Sequence, residues 1–493
     1  MRARILIGPL TALALAACGT TVPISQRVSR TDPLTGVPAP VTTGGPGGGG
    51  PVVPGSGPGS TASEGAQPVA TGGPTAVETS VESLGSRVAT HAIGVTSTAI
   101  TLGAVVLKNG DAFANGLGFS ISFGDARKEF QAVVDDINKR GGVAGRQLQL
   151  VFADYDLSGA AIDPESLQAS LCSTFTQDHH VFAAFMPYNP LPSFLACMAR
   201  AHAMVLNGSA QSDDDGGFQQ LAGWHLAPSM VSYSRYPRTM VRELVAHRFF
   251  TNTPLPKAGI LVIDTPHMVR AAEQRMKPAI EAAGIHVEAI AKVNPTSSNA
   301  DINSAVLQFK TLGITHVFFV QAAGGLPLYF MEGADTQQYY PRYALSSFEV
   351  PGFFLQGQAP AGQLANAMGI GWEPFFDLKA AELPTRPAEK RCLDVVRAGG
   401  ETNANRQSNL TVTPVCDLVW VFAAAANKAG RALDHASWLA GLRAVGGSYD
   451  SPVALHSDFS SGHPDGAVGY RWVSYVSDCS CFRYSGAQRN GWE

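Results

Sequence analysis

Seven side chains stand directly after short apolar runs of the chain and are the first candidates for binding chemistry. They are Tyr188, Asn189, Asn207, Ser209, His267, Gln321 and Glu349. They belong to five of the six loops that follow predicted strands, which are 108–118, 186–190, 207–215, 264–268, 321–325 and 346–351. In an open α/β sheet, ligands bind at the carboxyl ends of the strands, so binding residues are expected in these loops. The alternative for each side chain is an ordinary polar loop residue that contacts no ligand.

The chemistry available to these side chains is recognition of a small polar molecule. Hydroxyl and amide groups can bind a ligand carboxylate, and a side-chain carboxylate can bind an ammonium group. The globular part contains no GxSxG serine elbow, no HExxH, no P-loop and no dinucleotide-binding glycine fingerprint. The absence of these motifs favours a binding protein over an enzyme, and no cofactor is predicted.

Other polar patterns are weaker. Residues 213–217 (DDDGG) begin like a calcium loop but lack the distal glutamate, so a solvated acidic turn is expected. His179 and His180 have no partner ligands nearby in the sequence, and no metal site is predicted. Asp264 and His267 could form a proton-handling pair, with a ligand hydrogen bond or a surface pair as the alternatives.

The elements that must position these loops are strands and helices in alternation. Apolar residues recur every three or four positions over 119–137, which predicts an amphipathic helix, and Gly141-Gly142 is typical of a helix end. Apolar and polar residues alternate over 147–152, and the run 100–107 precedes the helix, so both segments are predicted strands. A strand, a helix and a strand in this order form a crossover between parallel strands.

The pattern then continues and begins a second time. Further strands are predicted at 181–186, 204–206, 258–263, 287–293, 314–320, 343–346 and 366–374, and a late antiparallel strand at 466–477. Helices are predicted at 164–176, 193–203, 268–283, 300–312, 326–338, 385–397, 412–431 and 436–445. About 395 globular residues exceed one ordinary core, so the fold class is α/β with two doubly wound, Rossmann-like lobes.

The order of these parts resembles a known family. The segments ITLGAVV (100–106), INKRGGVAGRQLQLVFADYD (137–156) and GWHLAPS (223–229) are similar to the leucine/isoleucine/valine-binding family of the type I periplasmic-binding fold. Members of that family are substrate-binding components of ABC importers, and the likeness extends over 100–472. It implies two lobes joined by a hinge of three crossovers, with 98–226 and 367–450 in lobe 1 and 227–366 and 451–493 in lobe 2.

The resemblance also implies roles for individual residues. It places Glu349 near the acidic residue that family members use for a ligand ammonium group, in a cleft open to water. Asn207 and Ser209 fall on a loop that offers backbone and hydroxyl donors, and Phe113 and Asn115 stand where an aromatic residue and hydroxyls are expected. The chain departs from the family at 187–190, where PYNP replaces a serine-rich loop, so the resemblance leaves the ligand's carboxylate clamp open.

The first residues predict export and lipidation. An apolar run over 5–15 follows two arginines and ends in Leu-Ala-Ala-Cys, which resembles a bacterial lipobox with Cys18 as the lipidated residue. The alternative is an ordinary signal peptide with a chance cysteine. Residues 1–17 are therefore a predicted signal peptide, and the Gly/Pro-rich residues 18–97 are a predicted disordered linker.

Six cysteines remain after Cys18, an even number in a chain predicted to be exported, which favours disulfides. Sequence order favours one of the fifteen possible arrangements, with the pairs Cys172–Cys197, Cys392–Cys416 and Cys479–Cys481.

The leading functional hypothesis is a monomeric, lipid-anchored solute-binding protein on the outer face of the cytoplasmic membrane. It would deliver an amino acid, an amide or a related solute to an ABC permease. A ligand-sensing extracellular domain is the alternative, and an exported enzyme is the third hypothesis. The net charge of −4 argues against nucleic acid as a partner.

Overall fold

The computed structural model describes residues 92–116, 122–158, 163–208, 211–251, 253–294, 298–322, 325–355, 358–384, 386–402 and 409–492. The predicted signal peptide, Cys18 and most of the predicted linker lie outside this part of the chain. The last residues of the predicted linker, 92–97, are described. Among them Val95 is buried and bridges Ile100. The globular body therefore begins before the predicted boundary at residue 98, because Val95 packs into the first core.

The first lobe is built on a five-stranded parallel sheet with the strand order β2-β1-β3-β4-β5. Its strands are β1 (Ala99–Lys108), β2 (Gln147–Asp156), β3 (Ala183–Met186), β4 (Met204–Asn207) and β5 (His225–Leu226). The intervening helices are α1 (Gly110–Gly116), α2 (Ala126–Lys139), α3 (Pro164–Ser173), α4 (Pro192–Arg200) and α5 (Asp215–Gln220). All residues of β3 and β4 are buried, as expected for a parallel sheet covered on both faces.

Local chemistry fixes the ends of α2. The side chain of Asp125 accepts a hydrogen bond from the backbone N–H of Lys128, which caps the first turn. After the helix, Gly142 has a φ of 74°, and a Cβ atom at this position would lie 2.0 Å from the carbonyl oxygen of Arg146. The tight turn into β2 therefore requires glycine here, as the sequence predicts.

The second lobe is built on a seven-stranded sheet with the order β12-β11-β10-β9-β8-β6-β7. Its first strands are β6 (Lys257–Ile263), β7 (His286–Val293), β8 (His316–Val320), β9 (Arg342–Ser346) and β10 (Ala367–Gly371). The helices of this part are α6 (Tyr236–Ala246), α7 (Pro266–Ala271), α8 (Lys277–Ala282), α9 (Ser298–Leu312), α10 (Leu326–Thr336), α11 (Ala361–Leu364) and α12 (Pro374–Asp377).

The chain then returns to the first lobe with three helices and ends in the second sheet. The helices are α13 (Pro387–Ala398), α14 (Val412–Ala429) and α15 (His435–Val445). Phe422 and Trp438 of this helical group pack in the same buried cluster as Phe130 and Phe185 of the first lobe. The last strands are β11 (Gly469–Val476) and β12 (Cys481–Asn490), which form an antiparallel hairpin at the edge of the second sheet.

One predicted lobe boundary is wrong. The sequence predicts residues 367–450 in lobe 1, but β10 pairs in parallel with β9 and antiparallel with β11 in the second sheet. The reason is register, because Ala367–Gly371 continues the ladder that β9 begins and buries Ile370 in the second core. The return to the first lobe follows β10 and α12, not residue 367.

Three crossovers connect the lobes and run beside one another. The first follows β5, where Ala227 N–H donates to the carbonyl of Pro464 at 2.9 Å. The second follows β10, and its Trp372 carbonyl accepts from Leu455 N–H at 2.8 Å. Leu455 and Pro464 belong to the third crossover, residues 446–468, which leads from α15 to β11. Hydrogen bonds to the third crossover therefore hold each of the other two in place.

Disulfide bonds join Cys172 to Cys197, Cys392 to Cys416 and Cys479 to Cys481 in the structure. The first links α3 to α4, the second links α13 to α14, and the third closes the turn between β11 and β12. Among the described residues, no helix combines the length and the apolar character that a membrane span requires.

Candidate functional site

The loops at the carboxyl ends of the two sheets contact each other directly. Arg270 on α7 of the second lobe donates two hydrogen bonds, of 2.7 and 2.8 Å, to the carboxylate of Asp214 in the loop after β4. Ala114 on α1 of the first lobe is buried in the same apolar cluster as the second-lobe core. The two lobes thus form a cleft whose edges are in contact.

The strand order of each sheet reverses at one point, and a crevice for ligands opens at such a point. In the first sheet the reversal lies between β1 and β3, and in the second it lies between β6 and β8. The loops after these four strands contain Asn109, Tyr188, His267 and Gln321. The predicted residues after β3, β6 and β8 therefore stand at the positions that topology makes most suitable for binding.

Tyr188 is held rigidly in the first crevice. Its hydroxyl accepts a hydrogen bond of 3.1 Å from Leu107 N–H at the end of β1, and its ring packs edge-on against Phe123. Burial raises the pKa of the Tyr188 hydroxyl, so it stays protonated and can still donate a hydrogen bond.

The other predicted residues of the first lobe differ in their surroundings. Asn189 is half-buried, and its backbone carbonyl accepts a hydrogen bond of 2.7 Å from Gln168. On α1, Phe113 is half-buried and Asn115 is exposed. Ser209 lies outside the described residues.

Asn207 is buried at the end of β4, where its side chain has a fixed orientation. Its amide nitrogen lies 3.0 Å from the carbonyl of Gly208 and 3.1 Å from that of Gln211, so it donates to both. Its amide oxygen lies 2.6 Å from Nε2 of His225 on the neighbouring strand β5. Asn207 therefore orders the loop after β4 and orients a histidine that was absent from the predicted set.

In the second lobe, Gln321 is fully buried at the end of β8. Its backbone carbonyl accepts a hydrogen bond of 2.9 Å from the Tyr233 hydroxyl, and its Nε2 atom lies 3.5 Å from the carbonyl of Phe348. Its Oε1 atom is buried and has no hydrogen-bond donor among the described residues. The ring of Tyr233 also stacks on that of Phe348, with centroids 4.4 Å apart.

Glu349 does not lie in an open, wet cleft, because its side chain is only 1% exposed. Its Oε2 atom accepts hydrogen bonds from the backbone N–H and the hydroxyl of Ser346, which together cap a short 3-10 helix, Ser347–Glu349. Its Oε1 atom is buried without a donor among the described residues. Burial raises the pKa of Glu349 to about 8, so the carboxyl is largely neutral at pH 7.

His267 is half-buried on α7, and burial lowers the pKa of its imidazole to about 4, although the Asp214 carboxylate opposes this change. The imidazole is therefore neutral at pH 7, and its ring lies 5.9 Å from that of Tyr233. Asp264, its neighbour in sequence, is exposed.

Sequence reasoning missed Asp213, Asp214, His225, Tyr233 and Arg270, all of which lie where the lobes meet. Three consecutive aspartates in the loop after β4 were the available signal, but the sequence favoured a solvated acidic turn over a calcium loop for them. Arg270 stands one helical turn after His267, so a search for a cation opposite the acidic triplet could also have found it.

Two surface grooves lie away from this cleft. A groove of about 540 Å³ between α2 and α13 is lined by Asp135, Lys390 and Asp394 among others, and one of about 370 Å³ lies between α5, α15 and the third crossover. Neither contains a predicted binding residue. Within the described part of the chain, Glu382, Cys479 and Cys481 have metal-ligating atoms within 4.8 Å of one another, but the two cysteines share a disulfide.

Two doubly wound lobes that meet at the carboxyl ends of their strands define a binding protein of the hinged, two-lobed class. A sequence model of the family described as periplasmic binding protein matches residues 116–473. Because this match covers most of the chain, the protein belongs to the periplasmic binding protein family. Among curated proteins, none matches this chain.

Solved structures share this fold at low sequence identity. A substrate-binding protein of an ABC transporter from Desulfitobacterium hafniense, in complex with Leu, is 16% identical, with a TM-score of 0.51 over 78% of this chain and 100% of its own. A solute-binding protein from Rhodopseudomonas palustris, in complex with p-hydroxybenzoic acid, is 12% identical, with a TM-score of 0.58 over 80% of this chain and 98% of its own. A fatty acid ABC transporter substrate-binding protein from Thermomonospora curvata is 15% identical, with a TM-score of 0.56 over 82% of this chain and 95% of its own.

These comparisons confirm the predicted fold and the predicted family resemblance. They also agree with the expectation of a binding protein rather than an enzyme, since the family and these structures are those of substrate-binding proteins.

Proposed function

We propose that the protein is the extracytoplasmic solute-binding component of an ABC importer, anchored by lipid at Cys18. It captures a small polar solute, such as an amino acid, an amide or a related compound, between its two lobes and delivers it to a permease. Closure of the lobes is the whole mechanism, and no bond is made or broken.

One observation carries this proposal. The Arg270–Asp214 ion pair joins the loops at the carboxyl ends of the two sheets, across the cleft in which a hinged protein holds its ligand. The crossovers, which are joined to one another by backbone hydrogen bonds, lie at one side of this cleft. The loop of Asp214 lies beside the hinge, because the Tyr233 N–H of the first crossover donates to the Asp213 carbonyl at 3.0 Å. An ion pair that joins the lobes here favours the closed state, and a solute that contacts both lobes would favour it further.

We assign the solute to the cleft between Tyr188 and Asn189 of the first lobe and His267 and Gln321 of the second. Phe113, Asn115, Asn207 and Ser209 complete the proposed first-lobe side, and Glu349 the second-lobe side. Two buried oxygens without donors, Oε1 of Gln321 and Oε1 of Glu349, support a solute that supplies N–H or O–H groups.

The named solutes of the structural neighbours differ in size and polarity. They are Leu for one protein and p-hydroxybenzoic acid for another, and a third is described as a fatty acid transporter's substrate-binding protein. This range means that the shared fold does not select the solute. In this chain the buried acceptors favour a hydrogen-bond-donating solute over a fatty acid.

The proposal is tested by a thermal-shift screen of the purified full-length chain, in detergent, against amino acids, amides, short peptides and aromatic acids. We expect at least one class to raise the melting temperature in a saturable way, because a ligand that binds the folded state stabilises it. A Tyr188→Phe, Gln321→Ala double variant should lose this response, whereas Gln131→Ala, on the exposed face of α2, should keep it. A response that the double variant retains in full would contradict the assignment of the solute to this cleft.

Transport and sensing are separated by uptake in the native organism. Deletion of the gene should abolish accumulation of the radiolabelled solute found by the screen, and expression of the wild-type chain should restore it. Uptake that is unchanged by the deletion would favour the sensing role instead.

A further inference from the structure

The protonation of His225 follows from its neighbour Asn207. The amide nitrogen of Asn207 donates to two carbonyls, so its Oδ1 atom is the group that faces Nε2 of His225 at 2.6 Å. An amide oxygen can only accept, so Nε2 must carry the imidazole proton. Because burial lowers the pKa of His225 to about 3, the ring is neutral and its Nδ1 atom is a bare acceptor.

Nδ1 of His225 is buried and has no hydrogen-bond partner among the described residues. The nearest carboxylate oxygen is Oδ2 of Asp213, at 3.8 Å. This separation is too long for a direct hydrogen bond, and both atoms are acceptors unless Asp213 is protonated. A donor nitrogen about 2.8 Å from each of these two acceptors would bridge their separation of 3.8 Å.

The carboxylate of Asp213 is held in this position by the backbone around it. Its Oδ1 atom accepts a hydrogen bond of 2.8 Å from Asp214 N–H. Behind it lies Gly217, where an added Cβ atom would be 2.1 to 2.3 Å from the three carboxylate atoms. The adjacent Gly216 has no such constraint, since its nearest neighbour would be 3.5 Å away. Glycine at 217 therefore provides the space that the carboxylate occupies.

The charged groups around Asp213 leave its carboxylate without a cation of its own. The guanidinium of Arg270 hydrogen-bonds both oxygens of Asp214, and His267 on the same helix is neutral at pH 7. Tyr233 lies in the first crossover and is protonated, because burial raises the pKa of its hydroxyl. Burial is also the largest influence on Asp213 itself and raises its pKa to about 7, with Asp214 acting in the same direction and Arg270 against it.

We propose that Asp213 and Nδ1 of His225 together bind the ammonium group of a primary-amine solute. This inference rests on the proposed solute-binding function and names the class of solute. It places the recognition of the amine in the first lobe, on the loop after β4, in addition to the second-lobe position of Glu349. The Asn207–His225 hydrogen bond acts as a positioning contact, because it keeps the lone pair of Nδ1 directed towards Asp213.

Binding of an ammonium group should also release a proton. In the free protein Asp213 is largely protonated below pH 7, and a cation 2.8 Å away favours its ionised form. Affinity for an amine should therefore rise with pH up to about pH 7 and then level off. Below pH 7 it should fall by up to about tenfold per pH unit.

The experiment is calorimetry of the full-length wild-type chain with four probes, L-leucine, putrescine, N-acetyl-L-leucine and 4-hydroxybenzoate. Titrations at pH 6.5 in two buffers of different ionisation enthalpy give the number of protons released. Asp213→Asn, with Asp215→Asn as its control, and Gly217→Ala, with Gly216→Ala as its control, are then titrated with the amine that binds. Each glycine variant adds the same methyl group, so the difference between their amine affinities reports the effect of displacing the Asp213 carboxylate.

We expect L-leucine or putrescine to bind with proton release, and the two anionic probes, N-acetyl-L-leucine and 4-hydroxybenzoate, to bind at least tenfold more weakly. Asp213→Asn should lower amine affinity by about ten- to a hundredfold and abolish the proton release, and Gly217→Ala should act in the same direction. Both control variants should behave like the wild type.

The inference is overturned if neither amine binds, if an amine binds without proton release, or if Asp213→Asn keeps wild-type affinity. The proton count is measured on the wild type, so the test does not depend on a variant that folds. If 4-hydroxybenzoate or N-acetyl-L-leucine binds and the amines do not, the proposed solute-binding function stands and only the amine site is wrong.

Discussion

Glu349 carries a buried carboxyl group whose two oxygens have different surroundings. Oε2 caps the short helix that follows β9, whereas Oε1 is buried with no donor among the described residues. The capping role explains why an acidic residue stands here even without a ligand. The free oxygen keeps the ligand role open, so the two roles must be separated by measurement.

At the same residue, burial raises the pKa to about 8, and this makes stability depend on pH. The folded state holds a proton that the unfolded chain loses near pH 4.5, so this group lowers stability as pH rises from about 4.5 to about 8. The slope is at most about 1.4 kcal/mol per pH unit. Asp377 and Glu129, with pKa values raised to about 7 by burial, act in the same direction.

We therefore expect the unfolding free energy of Glu349→Gln to increase relative to that of the wild type as pH rises from 5 to 8, because the amide has no proton to lose. Urea denaturation at both pH values measures the difference in unfolding free energy. Asp264→Asn, an exposed carboxylate on the loop after β6, is the control and should leave the pH dependence unchanged. A wild-type pH dependence in Glu349→Gln would mean that the carboxyl is not buried as the structure shows.

Elements were predictable where their own sequence pattern determined them. The predicted strands at 100–107 and 314–320 correspond to β1 and β8, and the predicted helix that ends at Gly141-Gly142 corresponds to α2. Each has a clear apolar period and a turn at its end. The assignment of β10 to lobe 1 failed because the choice of sheet depends on which strand lies beside it, and pairing partners are distant in sequence.

The site was predictable to the same degree. The predicted strand ends were enough to place Tyr188, Asn207, His267 and Gln321 in the loops that follow them, because the position of a loop depends only on the strand before it. Contacts such as Asp213 with His225, and Arg270 with Asp214, join residues from different elements, so no local pattern could reveal them. The burial of Glu349 was missed for the same reason.

Helices α13 and α14, which return to the first lobe, are joined by the disulfide between Cys392 and Cys416. Cross-links that close loops of this length, here a separation of 24 residues, typically contribute about 3 kcal/mol. We expect the Cys392→Ser, Cys416→Ser double variant to lose stability by about this amount in urea denaturation. Cys479→Ser, Cys481→Ser is the comparison and should lose less, because that pair spans only two residues. Free thiols at Cys392 and Cys416 in unreduced peptide maps would contradict the assignment.

At the scale of the whole molecule, the hinge is a bundle of three crossovers stabilised by side chains as well as backbone. Arg235 beside the first crossover forms an ion pair of 2.6 Å with Asp465 of the third. Arg386, at the end of the second, donates hydrogen bonds to the carbonyls of Ser451, Val453 and Ala454. These contacts hold the crossovers together, so movement between the lobes requires dihedral changes at only a few residues.

The membrane attachment proposed for the whole molecule depends on Cys18, because its thiol would carry the lipid. We expect Cys18→Ala to move the protein from the membrane fraction to the soluble fraction, since acyl chains supply the apolar contact with the bilayer. Immunoblots of fractionated cells measure this, with Cys172→Ala as a control that keeps the predicted lipidation site. A Cys18→Ala protein that remains in membranes after a salt wash would contradict the lipid anchor.

The central claim is that the two lobes close over a solute, and the distance between them tests it most directly. Spin labels at Gln131→Cys on α2 and Asp264→Cys after β6 report this distance by pulsed electron resonance, because both positions are exposed and lie on different lobes. On addition of the solute found by the thermal-shift screen, we predict that the distance distribution narrows to a single short population. A distribution that stays unchanged, while calorimetry on the same labelled protein shows the solute bound, would contradict the account.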